Sequence, residues 1–163
     1  MVFMDDNFLL TNETARVLYH QYAAEMPIID YHCHIPAEEI ARDVRFSSIT
    51  DLWLGADHYK WRAMRLNGVS EELITGNGDP YERFAAFAAT LERAIGNPLY
   101  HWSHLELQRY FDIKEPLTSE SAQRIYDQCN QVLSDPAMSA RGIIRRSNVR
   151  LLCTTDDPAD DLR

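Results

Sequence analysis

Two short runs rich in apolar residues, "IIDYHCH" at residues 28–34 and "VRLLCTT" at residues 149–155, set the strongest limit on what this chain can fold into. Each is continuous rather than alternating, the pattern of a strand covered on both faces. The stretch between them, roughly a hundred residues, carries helical periodicity instead. Strands of this kind separated by helices predict a parallel sheet in an α/β fold. Two strands cannot bury both faces of such a sheet, so the sequence reads as cut short.

The helical signals are local and specific. In "NETARVLYHQYAAEM", Ala15, Leu18, Tyr19, Tyr22 and Met26 recur at helical spacing, and Pro27 ends the run. Ser48 stands three residues before Asp51 in a capping-box pattern, and "DHYKWRAMRLNG" predicts a helix closed by Gly68. The clearest signal is "DPYERFAAFAATLERAIG", with Asp79 as N-cap, Pro80 at the first helical position and a stripe of Phe84, Phe87, Leu91 and Ile95 before Gly96. "LYHWSHLELQRYF" and "TSESAQRIYDQCNQVL" predict two further helices, and "SARGIIRRSN" a short one before the second strand. No repeat or linker marks a second domain.

The first strand ends in His32 and His34, with Pro36 just beyond. Alternation in a strand puts Asp30, His32 and His34 on one side and Tyr31 and Cys33 on the other. Residues two apart are roughly 7 Å apart along a strand, from which two imidazoles reach one divalent ion at about 2.0–2.1 Å. The C-terminal end of a strand is also where α/β proteins place their chemistry. A His-x-His pair arises equally as a surface pair or as two hydrogen-bonded core groups. Cys33, facing away, reads as a small buried hydrophobe.

A second constellation is "HYKWRAMR", residues 58–65. His58, Arg62 and Arg65 share a helical face with Tyr59 beside them, offering cations and a phenol to a carboxylate- or hydroxyl-bearing ligand. The competing reading is a solvated basic helix with Trp61 and Met64 in the core. His101 and His104 have the i, i+3 spacing of a shared metal site, but packing against Tyr100 and Trp102 accounts for them better. Asp156 and Asp157 follow the second strand either as ligand or base, or as the cap of a further helix.

Charge narrows the partners. Twenty-five acids against sixteen Lys and Arg give a formal charge of −9, which repels phosphate backbones and acidic membrane surfaces. The expectation is no nucleic-acid and no membrane partner. Three widely separated cysteines read as reduced thiols, and "MVFMDDNFLL" has neither the basic flank nor the apolar core of a signal peptide, so the expected address is the cytoplasm.

Taken together, "FLL", "YHCH", "DLWL", "ADHYKWRAMR", "IGNPLYHWSHLEL", "SARGI" and "TTDDP" resemble the N-terminal third of the uronate isomerases, a branch of the amidohydrolase superfamily. The resemblance runs over nearly all 163 residues, and "DHYKWRAMR" is its most specific element. It implies the N-terminal part of a distorted (β/α)8 TIM barrel, residues 1–163, with a large helical insertion after the first strand at roughly residues 37–135. It further implies aldose–ketose isomerisation of hexuronates, glucuronate to fructuronate and galacturonate to tagaturonate, by a homo-oligomeric full-length enzyme. By motif position, His32 and His34 hold a divalent metal, commonly zinc, Tyr59 and His58 lie at the reacting carbons, and Arg62 binds substrate. The third metal ligand and the catalytic base lie outside this chain in that scheme, so the chain alone is expected to be inactive. Two rivals remain at this stage: a metal-dependent hydrolase of the same superfamily, and a non-enzymatic helical binding domain with structural histidines.

Overall fold

Ser48, Asp57, Asp79, Asn97 and Ser139 each turn a side-chain oxygen onto a backbone N–H two or three residues ahead, and each starts a helix there. The computed structural model describes residues 3–157 and 159. These caps divide the chain into α1 (Glu13–Leu18), β1 (Ile28–Cys33), α2 (Ala37–Arg42), α3 (Ile49–Leu54), α4 (His58–Leu66), α5 (Pro80–Glu92), α6 (Pro98–Phe111), α7 (Ala122–Leu133), α8 (Ala140–Arg146) and β2 (Val149–Thr154). The fold class is α/β and rich in helix. Among the described residues, no helix is long and apolar enough to cross a membrane.

The elements form two units. The first, Phe46–Asp135, holds α3 to α7. Its core is aromatic: Trp53 stacks on Phe84 at 6.0 Å and meets Phe87 edge-on at 5.7 Å, while Tyr126 packs against Tyr81 and Phe84. Ile49, Met64, Leu91, Leu107, Leu117 and Ile125 complete it, all buried. Polar ties run through it as well. Asn130 Oδ1 accepts from the Ile49 amide at 2.8 Å, and the Thr50 hydroxyl donates to the Pro80 carbonyl at 2.6 Å.

Two boundaries differ from expectation. α5 stops at Glu92, because Arg93 bonds back to Thr90, so Ile95 falls past the helix and is exposed rather than part of the stripe. α7 begins at Ala122 rather than Thr118, because the Thr118 and Ser121 side chains bond reciprocally to each other's amides.

The second unit comprises the described residues before Phe46 and after Asp135. Here β1 and β2 pair in parallel as a two-stranded sheet, with register breaks after Ile28 and between Asp30 and Cys33. Asn148, at φ 56°, turns the chain out of α8, and its carbonyl receives the Ile28 amide at 2.9 Å where the ladder begins. Arg141 ties α8 to α2: its Nε donates to the Ile40 carbonyl at 2.6 Å, its guanidinium also reaches the Ala41 carbonyl, and its amide donates to Asp43.

The strand positions came out as expected, and so did the exposure of a sheet that two strands cannot cover. Ile28, Ile29 and Leu151 are exposed, Ile29 by 65%, since no further strand or layer among the described residues covers them. Leu18, Tyr22 and Met26, which recur at helical spacing, are also exposed, and the helical run turns from α into a π-helical turn at Tyr19–Ala23.

Candidate functional site

The histidine pair belongs to the second unit. His32 is the penultimate residue of β1 and His34 follows its end, and alternation brings both rings to the same side. Their Nε2 atoms lie 3.0 Å apart with the rings nearly edge to face. Two nitrogens bound to one tetrahedral zinc at 2.0–2.1 Å would be separated by about 3.3 Å. The observed gap is a few tenths of an ångström shorter, within a small rotation of either ring, so the donor set suits a shared cation. Cys33, on the opposite side, is buried as expected.

Other members of the neighbourhood take different parts. Asp30 does not complete a set of ligands: its carboxylate turns back to the His32 amide at 3.3 Å. Among the described residues no three His, Cys, Asp or Glu side chains converge on one point suited to an ion. At the end of β2 the Thr155 hydroxyl donates to the Cys33 carbonyl at 2.9 Å and stands 3.5 Å from His32 Nδ1. Asp156 accepts from the Thr154 hydroxyl, and Asp157 accepts from the Ala159 amide at 2.8 Å. Pro158 of the "TTDDP" motif lies outside the described residues.

His58, Tyr59 and Arg62 belong to the first unit, on the opening turns of α4. The His58 and Tyr59 rings are 4.3 Å apart, and the Arg62 guanidinium lies over the Tyr59 ring at 5.9 Å, so the phenol ring has two nitrogen-bearing groups beside it. All three side chains are exposed. Arg65, expected to share their cationic face, is instead engaged by Glu71 through a two-pronged bond. That guanidinium, with a second bond from Thr75, holds the Glu71 carboxyl down at about 2.

Beneath this exposed turn lies an ion pair that the sequence reading missed. Lys60, only 6% exposed, donates from Nζ to Asp57 at 2.7 Å and sits 5.6 Å above the Trp53 ring. Asp57 also receives the amides of Tyr59 and Lys60, so one carboxylate caps α4 and fixes the backbone that carries Tyr59. Trp61 is half-buried with its indole N–H on the Leu54 carbonyl, and Met64 is fully buried. Burial in the same region pushes the Glu106 carboxyl up, opposed by the charge of Lys60. Asp57 was legible as a cap, since an acid directly precedes the helical run, but Lys60 looked like part of a solvated charged face.

His104 is a structural group. Its ring is buried, Nδ1 donates to the Tyr100 carbonyl at 2.6 Å, and Nε2 accepts the Leu117 amide at 2.9 Å. Both nitrogens are thereby committed, in agreement with the packing alternative rather than a metal shared with His101.

Residues 1–163 match the family profile described as glucuronate isomerase. The chain is 59% identical over 160 residues to the uronate isomerase of Lachnoclostridium phytofermentans, covering 98% of this chain and 34% of that protein. The solved uronate isomerase of Thermotoga maritima superposes with a TM-score of 0.91 at 38% identity, over 99% of this chain and 35% of that one. For the glucuronate isomerase of Caulobacter crescentus the TM-score is 0.81 at 26% identity, over 99% and 34% of the two chains. The chain thus spans about a third of the length of the relatives it matches.

Proposed function

The chain belongs to the glucuronate isomerase family, and from that premise we propose that the full-length enzyme carrying this segment interconverts the aldose and ketose forms of hexuronates such as glucuronate and galacturonate. The observation that carries the reading is the stacked His58–Tyr59–Arg62 cluster, which presents a phenolic hydroxyl and a guanidinium on a helix turn fixed by Asp57. A hydrolase attacking an amide has no evident use for such a set. In the same reading, β1 and β2 are strands of a (β/α)8 barrel and residues 37–135 are its helical insertion; the TM-score of 0.91 supports this placement.

The chemistry dictates what the residues must do. A base removes the proton on C2, the electrons shift to give an enediolate, and a proton is returned to C1 while the hydroxyl proton passes from O2 to O1. The Tyr59 hydroxyl both donates and accepts, so it can relay a proton between neighbouring oxygens, with His58 stacked beside it. Arg62 offers a planar fork to the distant carboxylate of the uronate. His32 and His34 are the residues that hold a divalent metal, and zinc suits paired imidazoles; when bound it supplies positive charge toward oxygens that become negative in the enediolate. The third ligand and the base are contributed by the rest of the full-length enzyme.

The test is incubation of that enzyme with glucuronate while following ketose formation. Ketose at a catalytic rate supports the reading. No ketose, with turnover of an amide or ester instead, overturns it.

A further inference from the structure

Proton accounting at the end of the sheet singles out a residue that the metal pair depends on. The Thr155 hydroxyl carries one hydrogen, and its bond to the Cys33 carbonyl at 2.9 Å uses it, because a carbonyl oxygen can only accept. What remains on Thr155 Oγ1 are lone pairs, and these stand 3.5 Å from His32 Nδ1, at the long limit of a hydrogen bond. A favourable contact there requires the hydrogen of His32 to sit on Nδ1. The Nε2 lone pair is then left bare, and Nε2 is the atom that faces His34 at 3.0 Å.

We propose that Thr155 is a positioning residue for metal binding: by accepting from Nδ1–H it fixes the His32 tautomer whose Nε2 is free to ligate. The inference rests on the reading of His32 and His34 as a metal pair. A ligating imidazole generally has its other nitrogen oriented by an acceptor, and the loss of that acceptor weakens metal affinity 10- to 100-fold. The length of this contact places the effect near the lower end. Thr155 directly follows β2, and the parallel register, with Cys33 opposite Thr154, is what brings its hydroxyl beside the end of β1.

A second consequence follows from the same bookkeeping. With Nε2 of His32 an acceptor, a hydrogen bond across the 3.0 Å gap requires His34 to donate from its own Nε2. A cation between the rings needs both lone pairs, so His34 must surrender that hydrogen whereas His32 changes nothing.

The experiment is nitrogen-15 NMR of the two imidazoles in the protein, above the histidine titration range, with and without zinc, for the wild type, Thr155→Val and Thr155→Ser. Thr155 is exposed, so neither change threatens the fold. The expected result is an Nδ1–H tautomer for His32 in the wild type and in Thr155→Ser. Thr155→Val should shift toward the Nε2–H form and raise the zinc dissociation constant about tenfold. On adding zinc to the wild type, only His34 should change its protonated nitrogen. An Nε2–H tautomer for His32 in the wild type, or an unchanged tautomer in Thr155→Val, overturns the proposal. Zinc that perturbs neither ring in the wild type overturns the metal-pair reading instead, and the tautomers still judge Thr155 separately.

Discussion

Replacing His104 with leucine tests the hydrogen-bond logic of the first unit. Leucine keeps most of the buried volume, so the change acts on two bonds rather than on a large cavity. The Leu117 amide, itself buried, loses its acceptor at 2.9 Å. An orphaned buried donor costs about 1–3 kcal/mol. The Tyr100 carbonyl loses a donor at 2.6 Å, a smaller loss because it lies within α6 and remains available to the helix ladder. A total of about 2 kcal/mol in a chain of this size lowers the melting temperature by about 4–8 °C. The effect should also depend on pH. Burial holds the His104 pKa below its ordinary value of 6.5, so the unfolded chain binds the proton more readily. The contribution of neutral His104 is therefore complete above 6.5 and is lost as pH falls toward its folded value. His104→Leu should differ most from wild type above that point and converge on it in acid. Circular dichroism melts across this range provide the assay. A variant melting within about 1 °C of wild type near neutrality would refute the argument that the Leu117 amide depends on this ring.

Lys60→Met should destabilise by about 2 kcal/mol, less than the 3–5 typical of a broken buried pair, because Asp57 keeps its two amide donors and is partly exposed; urea titration measures it, and a neutral result would mean the pair contributes nothing. Glu71→Gln should flatten the acid limb of the stability profile, since a folded value of about 2 against an ordinary 4.5 makes the wild-type contribution complete above 4.5 and lost as pH falls toward 2; an unchanged limb would count against the Arg65 bond. In the full-length enzyme, Tyr59→Phe should lower kcat by about 10²-fold or more with KM little changed. Equal turnover would reduce Tyr59 to a surface aromatic. Arg62→Ala should instead raise KM about tenfold, the worth of one hydrogen bond to a charged group, and an unchanged KM would remove Arg62 from carboxylate binding.

How much of this was legible depended on how local the cause was. Caps are decided within four residues, so Ser48, Asp79 and Gly68 mark helix ends correctly from sequence. The histidine pair was legible for the same reason, since strand alternation alone puts residues two apart on one side. What failed required knowledge of neighbours distant in sequence. Lys60 looks like solvated charge until Trp53 from α3 closes over it, and Arg65 looks available until Glu71 turns back to meet it. Thr155 stood in a motif read for its two aspartates, and its hydroxyl acquires meaning only through the register that sets β2 against β1.

The two candidate clusters are consequently held by different physics. The turn that carries Tyr59 is anchored from below by a buried ion pair and three bonds to one carboxylate, so its backbone is fixed before any ligand arrives. Only the side-chain torsions of His58, Tyr59 and Arg62 remain to be ordered, and their mutual stacking already narrows those. His32 and His34 have no such foundation: β1 is exposed along most of its length, and Cys33 is its one buried residue. Their rings make polar contacts, among them one to each other at 3.0 Å and one from His32 to Thr155 at 3.5 Å. A site held this way is tuned through hydrogen-bond chemistry more than through packing. Changes in apolar residues around β1 should therefore matter less to metal affinity than the loss of a single hydroxyl.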